Sequence, residues 1–538
     1  MILELPNVLS STTVWISVPM LICFFALMLG VGIACRRHAT NVDGFVLGGR
    51  AVGPWLTAFA FGTSYFSAVI FVGYAGQFGW NFGLASTWIG LGNAFIGSLL
   101  AWMVLGRRTR VMTQHLGSKT MPDFFEKRYN SKTLKVVASF IVFVFLIPYT
   151  ASLYNGLSSL FNNVFNIPYW VIVVGMAVLT GVYVIFGGYM ATAINDFIQG
   201  IIMLGGIVAV IASVLADNGG FTAAVKELTY SENAGYEYTS IFGPNSIFLL
   251  FVVLLTSLGT WGLPQMVGKF YSIKDESAIK KGTIISTIFA IVVAGGCYFL
   301  GGFGRLYFNE MSAAGYVSAN GTKFDKVIPT MLENLPAIIV ALVIVLVLAA
   351  SMSTLSSLVL TSSSTLTLDV INPIMAKRKK QNEKRSILIM RLFIVFFIAV
   401  SAVIAILKDS IWSDSVFIAQ MMGVSWGALA GAFLAPFLYG LYWKKTTKPA
   451  VVVSFIFGTG LEILQLAISV GWVSVKGIPV LEFIMTNSLY SGVFAMLGGL
   501  VLVPIVSLLT KKTLQTDVDE KFECYNVQVV TNKKDSLG

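Results

Sequence analysis

The stretch "FAFGTSYFSAV" (residues 59–69) lies in a segment apolar enough to cross a membrane, yet a glycine and three hydroxyl residues occupy its middle. Glycine weakens a helix, and a bilayer core offers no water to backbone groups that a break sets free. A second interrupted span, "TSLGTWGLPQ" (256–265), follows five spans later. Paired breaks at corresponding positions of two halves are typical of transporters built from inverted repeats, with the binding site at the breaks. Glycine and proline are also common in ordinary membrane helices, so the pairing, and not either break alone, favours a transporter.

The composition is that of a polytopic membrane protein. Of the 538 residues, 56% are hydrophobic and 11% are charged, and apolar runs of about 20 residues recur along the chain. The formal charge of +11 comes from Lys and Arg in the loops, as the positive-inside rule predicts, so nucleic acid is not expected as a partner and the lipid bilayer is. The sequence contains no His/Cys/acid cluster with metal-ligand spacing and no buried nucleophile–histidine pair, so we expect no enzyme activity.

The apolar runs predict about thirteen transmembrane helices. They lie near residues 13–34, 54–75, 81–105, 135–160, 168–187, 192–215, 245–270, 279–304, 336–368, 387–407, 415–442, 449–472 and 484–510. Basic loops follow alternate spans, whereas the 216–244 loop is acidic. We therefore expect a multi-pass protein of a plasma membrane, as in a bacterial inner membrane, with its N-terminus outside and its C-terminus in the cytoplasm.

The two interrupted spans divide the chain into two halves. The expected units are an extra N-terminal helix with its cytoplasmic loop (1–50), a first five-helix repeat (51–215), an extracellular loop (216–244), a second, inverted five-helix repeat (245–442), two additional helices (443–512) and a polar cytoplasmic tail (513–538). The expected fold is all-α, with the first and sixth core helices broken.

A cation site is expected where the first break faces the span near 336–368. In "AASMSTLSSLVLTSSSTL" (349–366), one helical face carries, at i, i+3, i+4 and i+7, the residues Ala350, Ser353, Thr354 and Ser357. Opposite the carbonyl oxygens freed near Thr63 and Phe66, these hydroxyls would form an all-oxygen, nearly neutral cage. Such a cage suits a monovalent ion better than Ca²⁺ or Mg²⁺, which prefer carboxylates. The same residues are also compatible with close helix packing or with hydrogen bonds to their own backbone.

Several other residues within or beside the spans have two interpretations each. Asp196, in "ATAINDFIQG", is the clearest ionisable residue inside a span, and intramembrane acids usually face a cavity or a partner; near the interface it is also compatible with hydration. Tyr149 and Trp261 are candidate aromatic walls of a solute pocket, or ordinary packing residues. Arg305 and Lys269 fall at predicted helix ends, where long basic side chains snorkel or set topology.

Six stretches resemble, in order, the sodium:solute symporter family, which includes the proline, pantothenate, sialic acid, monocarboxylate and sodium–glucose transporters. They are "GGRAVGPWLTAFAFGTSYFSAVIFVG" (48–73), "TMPDFFEKRYN" (120–130), "GGYMATAINDFIQ" (187–199), "GLPQMVGKFYSIKDESAIKKG" (262–282), "LAASMSTLSS" (348–357) and "GALAGAFLAPFLYGLYWKKTT" (427–447). The similarity spans roughly residues 44–448, and "MSTLSS" is its most specific part. The resemblance implies a leucine-transporter-type 5+5 inverted repeat with an added helix in front, and solute uptake coupled to Na⁺.

The resemblance also implies ligands for Na⁺. The family's conserved sodium site would consist here of the backbone carbonyls of Thr63, Phe66 and Ala350 and the hydroxyls of Ser353 and Thr354. This set agrees with the cage that helical spacing places opposite the first break.

A second Na⁺ is held by some family members. The matching positions here are Asp196, Ser356 and Ser357, and we hypothesise a second, weaker Na⁺ site with two ions per solute. The proline transporters place an aspartate at the position of Tyr65, which bears on the detail of coupling.

Departures from family patterns limit the solute. The proline members carry aromatic residues at the positions of Thr256 and Thr260, and the sugar members an asparagine–glutamine pair that "TWGLPQ" lacks, so proline and sugar are disfavoured. The sialic acid members use an arginine in a span that has no charge here between Lys135 and Phe161. The run "GLPQMVGKFYSIKD" looks closest to the pantothenate and monocarboxylate branch. An organic carboxylate would bind free N–H groups at the broken helices, whose N-terminal dipole ends attract anions.

The expected function is Na⁺-coupled symport by alternating access. The solute is expected to be a monocarboxylate, a pantothenate-like acid or an amino acid, in a pocket between the breaks formed by Ser67, Tyr149, Thr260 and Trp261. The alternative is a membrane solute sensor with a separate signalling partner, since some proteins of this family feed a signalling kinase. A tail of about 26 residues after Lys512 offers little room for an output domain, and no obligatory protein partner is expected.

Overall fold

The chain folds into a bundle of membrane-spanning helices. The computed structural model describes residues 11–165, 167–318, 321–377, 382–411 and 416–526. In these ranges ten helices are long and apolar enough to cross a membrane, or eleven when the bent pair Ser246–Gly262 and Pro264–Tyr271 counts as one span. The strands of the described residues form one short antiparallel hairpin, β1 (Val317–Ser318) with β2 (Gly321–Thr322).

The α-helices are numbered in chain order. Up to residue 230 they are α1 (Ser11–Ala34), α2 (Val42–Leu47), α3 (Pro54–Tyr65), α4 (Ala75–Phe82), α5 (Thr87–Gly92), α6 (Arg107–His115), α7 (Met121–Tyr129), α8 (Lys132–Phe165), α9 (Tyr169–Asp217) and α10 (Phe221–Tyr230). Beyond it they are α11 (Ser246–Leu258), α12 (Pro264–Tyr271), α13 (Glu276–Ala290), α14 (Gly296–Gly301), α15 (Phe308–Ala313), α16 (Val327–Leu332), α17 (Ala337–Thr365), α18 (Asn372–Lys377), α19 (Glu383–Ile411), α20 (Val416–Tyr442), α21 (Lys448–Ser469), α22 (Pro479–Ile484), α23 (Ser488–Leu509) and α24 (Val518–Glu523). Wider, π-helical turns extend several spans, at Val69–Tyr74, Asn93–Leu100, Trp102–Gly106, Ile291–Gly295 and Leu366–Ile371.

Helix α9 is too long for one crossing of a membrane. Its 49 residues would extend about 74 Å at about 1.5 Å per residue, against a hydrocarbon core of about 30 Å. The helix breaks at Gly188, whose φ of 54° and ψ of −147° are not helical, and a Cβ there would lie 2.9 Å from the carbonyl oxygen of Phe45. The break therefore requires glycine, and it falls between the spans expected near 168–187 and 192–215. The predicted total of about thirteen spans stays a prediction.

Both interruptions predicted from the sequence are present. The first helix of the pair, α3, ends where Phe66 is extended (φ −93°, ψ 121°), and helical structure resumes after Ser67. In the second, α11 passes through a 3-10 turn, Gly259–Gly262, to the extended residue Leu263, and Pro264 opens α12 after a bend of 47°. Proline fits the first turn of a helix, where its missing N–H is not needed. Each break frees carbonyl oxygens inside the bundle, where they need polar partners.

Helix α17 lies at the centre of the bundle. It packs against α1, α3, α8 and α9, and nearly all of its residues from Val340 to Thr365 are buried. Lipid cannot hydrogen-bond to the many hydroxyl side chains of this helix, so their partners lie within the protein.

Helices α20, α21 and α23 form a tightly packed group in the C-terminal part of the bundle. A Cβ atom on Gly458 of α21 would lie 2.3 Å from the backbone of Gly431 on α20, so the two helices touch through their main chains. Small residues allow this close approach in membranes, where helix association depends on packing. Helices α21 and α23 correspond to the two additional helices expected after residue 443.

Candidate functional site

Five oxygen atoms come together where the first break meets α17. The Thr354 hydroxyl contacts the carbonyl oxygens of Thr63 and Phe66 at 3.3 and 3.2 Å. The Ser353 hydroxyl contacts the Thr63 carbonyl oxygen at 3.1 Å. The two hydroxyls lie 3.0 and 3.2 Å from the carbonyl oxygen of Ala350, and all five residues are buried. The structure thus brings together, in one cation cluster, every ligand expected for the first Na⁺ site.

The chemistry of the cation cluster fits a small monovalent ion. Its oxygens are carbonyls and hydroxyls without formal charge, and a hydroxyl can rotate to turn a lone pair toward a cation. The Thr63 hydroxyl has no hydrogen-bond partner in the described part of the chain, so a further oxygen is available nearby. The divalent ions Ca²⁺ and Mg²⁺ usually require carboxylates, which the cluster does not contain.

A lysine ammonium lies among the residues expected to hold a second Na⁺. Oδ2 of Asp196 on α9 lies 3.5 Å from Nζ of Lys269 on α12. Lys269 also donates to the Ser357 hydroxyl over 2.9 Å, and Ser357 shares a hydrogen bond of 2.8 Å with Ser64 of α3. The Ser356 hydroxyl donates instead to a carbonyl of its own helix over 2.9 Å. The structure therefore joins Asp196 and Ser357 through Lys269 and leaves Ser356 turned to its own backbone.

The burial of this pair contradicts two readings of the sequence. The interpretation that Lys269 snorkels is wrong, because its side chain is 1% exposed and turns inward to an acidic partner, whereas its part in setting topology stays a prediction. The interpretation that Asp196 is hydrated near the interface is also wrong, since the residue is 0% exposed. Both readings treat a helix end in isolation, whereas the neighbouring helices cover it.

A small cavity of about 50 Å³ reaches Lys269, the basic partner of this ion pair, from the side of the protein that carries the basic loops. Its lining includes Lys119, whose side chain is 37% exposed, and the buried residues Gln265, Lys269 and Ser357. The cavity thus gives solvent on that side a route toward the ion pair.

The four residues expected in the solute pocket fall into two groups. Ser67 and Tyr149 lie side by side, and among the described residues the buried Tyr149 hydroxyl interacts with Ser67 and with Trp426, while neither hydroxyl makes a hydrogen bond to a further group. Thr260 donates to a carbonyl of its own turn over 2.8 Å, and Nε1 of Trp261 donates to the carbonyl oxygen of Ile96 over 3.0 Å. Thr260 and Trp261 therefore use their donors to hold the second break in place, whereas Ser67 and Tyr149 do not.

Trp426 of α20 joins Ser67 and Tyr149, although the sequence analysis missed it. Its ring lies edge-on to Tyr149 at a centroid distance of 5.9 Å and 6.0 Å from the ring of Tyr65, and its Nε1 has no partner apart from Tyr149 within the described ranges. Tyr65 donates from Oη to the carbonyl oxygen of Thr256 over 2.7 Å, which links the two breaks. The sequence signal that could have indicated this position is a tryptophan deep within a span, away from the interfaces that tryptophan prefers.

Two more buried polar residues escaped the sequence analysis. Oδ1 of Asn93 accepts hydrogen bonds from Thr256 over 3.0 Å and Ser257 over 3.1 Å, while its Nδ2 has no partner in the described part of the chain. Glu462 of α21 is 0% exposed and packs against Gly427 of α20, and neither of its carboxyl oxygens has a hydrogen-bond partner in that part. Asn93 adds a donor close to the second break, whereas Glu462 belongs to the C-terminal helices.

A charged network outside the spans ties α7 to α8 and to the end of the central span. The Asp123 carboxylate lies 2.9 Å from the ammonium groups of both Lys127 and Lys135, and Thr120 donates to Asp369 over 2.6 Å. Burial raises the pKa of the Asp123 carboxyl, but the two ammonium groups outweigh it and hold that pKa below its usual value. The carboxylate is therefore stabilised in its charged form.

Comparison with known sequences gives a family and several relatives. The model of the sodium:solute symporter family matches residues 45–458. The sodium/proline symporter 2 of Staphylococcus saprophyticus is 28% identical over 505 residues, which cover 93% of this chain and 94% of that relative. The sodium/proline symporter of Staphylococcus aureus is 28% identical over 520 residues, which cover 94% of this chain and 96% of the relative.

Solved structures with a similar fold include a Na⁺-coupled sialic acid symporter in a substrate-bound, outward-open state. It has a TM-score of 0.72 and 17% sequence identity, and the match covers 92% of this chain and 98% of that one. A manganese transporter of Eremococcus coleocola has a TM-score of 0.51 and 13% identity, with 85% and 95% covered. The expected fold is confirmed: an all-α membrane protein with a leucine-transporter-type 5+5 inverted repeat and broken first and sixth core helices.

Proposed function

The chain belongs to the sodium:solute symporter family, with Na⁺ as its coupling ion, and from this premise we propose that it takes up a small organic solute bearing a carboxylate. Uptake proceeds by alternating access, driven by inward flow of Na⁺. The basic loops and the ends of α6 and α12 face the cytoplasm in this proposal, and the N-terminus lies outside. The membrane in this proposal is the plasma membrane of a bacterium, since the family relatives are bacterial.

One juxtaposition supports coupling above all. Phe66 contributes its carbonyl oxygen to the cation cluster, and the next residue, Ser67, lines the solute pocket beside Tyr149. Ion and solute therefore order the same short unwound segment of the first broken helix. Whichever binds first removes part of the conformational freedom that the other must restrict, so each raises the affinity for the other.

The Na⁺ ligands in this proposal are the five oxygens of the cation cluster. The ion holds the freed carbonyls of Thr63 and Phe66 against Ala350, Ser353 and Thr354 on α17, and so fixes the break to the central helix. Without a cation, the hydroxyls of Ser353 and Thr354 satisfy those carbonyls by themselves. The break thus has a partner in both states, which a transporter that binds and releases its ion requires.

A carboxylate suits the solute pocket because the described residues of the pocket offer hydrogen-bond donors and no acidic side chain. Tyr149, Ser67 and Trp426 bring two O–H groups and one N–H together, and in the described structure these three groups have polar neighbours only in one another, so that all three can turn to a carboxylate, which accepts several such bonds. Three neutral donors would fix the orientation of the group, while the aromatic rings of Tyr65, Tyr149 and Trp426 cover an apolar body. Monocarboxylates, pantothenate-like acids and amino acids all share this group, and proline, which the residues at 256 and 260 disfavour, stays a candidate because the relatives at 28% identity are sodium/proline symporters.

Uptake by purified protein in liposomes tests the proposal. Labelled proline, pyruvate and pantothenate are each offered with an inward Na⁺ gradient, with K⁺ in place of Na⁺, and with the gradient dissipated. At least one carboxylate should accumulate only with the gradient, and its uptake should weaken in Trp426→Phe. Transport that does not respond to Na⁺ would refute the coupling, and accumulation confined to solutes without a carboxylate would refute the assigned solute class.

A further inference from the structure

The ammonium of Lys269 is surrounded by groups of the kind that bind free cations in proteins. Nζ lies 3.5 Å from the carboxylate of Asp196 and 2.9 Å from the hydroxyl of Ser357, and 5.4 Å from the centre of the Tyr189 ring. An acid, a hydroxyl and an aromatic face are all favourable neighbours of a cation. We propose that Lys269 is a built-in cation which excludes a second Na⁺ from this position, so that one Na⁺ accompanies each solute. This inference rests on the proposed Na⁺ symport and specifies its stoichiometry.

Charge balance within the bundle is the first argument. Asp196 and Lys269 are 0% and 1% exposed and lie 3.5 Å apart, so an acid and an amine already face each other as an opposite-charge pair in a water-poor setting, and a proton shared between them leaves the net charge of the pair at zero. A Na⁺ bound to the same carboxylate would place two cations beside one acid, where the low dielectric strengthens their repulsion. A sodium ion at Asp196 therefore requires that Lys269 first leave, and the ammonium is covalently tied to α12.

The second argument is the position of the ammonium, which lies where both broken helices meet the central helix α17. Lys269 is on the second broken helix, and through Ser357 it is linked to Ser64, which follows the cluster residue Thr63 in α3. One side chain thus connects α9, α12, α17 and α3 next to the cation cluster. A resident cation at this junction supplies the attraction that a second bound ion would otherwise provide, without consuming the Na⁺ gradient.

Removal of the ammonium should create the excluded site. Without Lys269, the Asp196 carboxylate is a buried charge with no counter-ion, which is costly in a membrane and attracts any available cation. The Ser357 hydroxyl then loses its donor, and Ser356 lies on the adjacent position of α17. The cavity lined by Lys269 and Ser357 gives Na⁺ a path to the position that the ammonium occupies.

Equilibrium binding of ²²Na⁺ to the purified protein in detergent, without solute, counts the ions directly. We expect one Na⁺ in the unmodified protein and two in Lys269→Met, which keeps the length of the side chain and removes its charge. Lys269→Arg, which keeps a positive charge, should bind one, and so should the double variant Asp196→Asn with Lys269→Met, because it lacks the acid.

Each result decides the matter. Two ions in the unmodified protein, or one in folded Lys269→Met, would overturn the inference and leave Na⁺ symport intact. No bound Na⁺ in the unmodified protein would instead refute the proposed cation cluster. If Lys269→Met does not yield a monodisperse protein, Asp196→Asn decides: it should still bind one Na⁺, and a loss of Na⁺ binding would identify Asp196 as a ligand and overturn the proposal.

Discussion

Replacement of Thr354 by alanine tests the cation cluster most directly. Its hydroxyl contacts both carbonyls that the first break sets free, at 3.3 Å for Thr63 and 3.2 Å for Phe66. Loss of one ligand oxygen from a buried site should cost about 1–3 kcal/mol of Na⁺ binding free energy. Since about 1.4 kcal/mol corresponds to a factor of ten, the Na⁺ affinity should fall by about one to two decades.

The assay is ²²Na⁺ binding together with the Na⁺ dependence of uptake in proteoliposomes. Thr354→Val keeps the branched shape and removes only the hydroxyl, so it should match the alanine variant. Ser351→Ala is the control, because the Ser351 hydroxyl donates to Val347 of its own helix over 2.9 Å and is equally buried. Unchanged Na⁺ dependence in Thr354→Ala would show that the cluster is misplaced, and an equal loss in Ser351→Ala would indicate damage to α17.

Three further predictions concern the pocket and two acids. Tyr149→Phe and Trp426→Phe should each weaken solute binding about tenfold, because each removes one hydrogen-bond donor, and Na⁺ binding in the absence of solute should not change. An equal loss of solute binding and of Na⁺ binding would indicate disturbed packing. Glu462→Gln should retain uptake and melting temperature, because glutamine matches the shape of the side chain and no ion pair of Glu462 is present among the described residues, and a clear loss of either would contradict this. At about pH 7, the melting temperature of Asp123→Asn should lie below that of the unmodified protein. This difference in melting temperature should shrink below about pH 4, because the carboxylate that Lys127 and Lys135 stabilise then takes up a proton. A difference that does not change with pH would exclude this ion pairing.

Features encoded by neighbouring residues could be predicted from the sequence. The glycines and Pro264 marked the broken helices, and the spacing of Ser353 and Thr354 placed their hydroxyls on one face of α17. Together with the family resemblance, this spacing gave the ligand set that the structure assembles around the carbonyls of Thr63 and Phe66. Local sequence suffices here because Ser353 and Thr354 lie on the regular helix α17, and Gly62 with its hydroxyl neighbours marks the break that frees the two carbonyls.

Features that depend on distant contacts could not be predicted in the same way. In the sequence Lys269 lies at a predicted helix end, and only the structure reveals that it meets Asp196 of α9 at 3.5 Å. Trp426 reaches Tyr149 because α20 crosses the first repeat, a relation that no periodicity within α20 encodes. Glu462 was visible as an acid in an apolar run, but its burial follows from the close contact of α21 with the glycine at 427.

Three of the five oxygens in the cation cluster belong to the main chain, at Thr63, Phe66 and Ala350. A saturation mutagenesis screen for altered ion selectivity replaces side chains only, so it would detect the cluster at Ser353 and Thr354 and pass over the rest. Comparison of natural sequences would miss these ligands for the same reason, since the side chains at the other three positions can change while their carbonyl oxygens remain. Replacement of single peptide bonds by esters, through semisynthesis or an expanded genetic code, weakens a chosen carbonyl as an acceptor and would reach the ligands that genetics alone cannot alter.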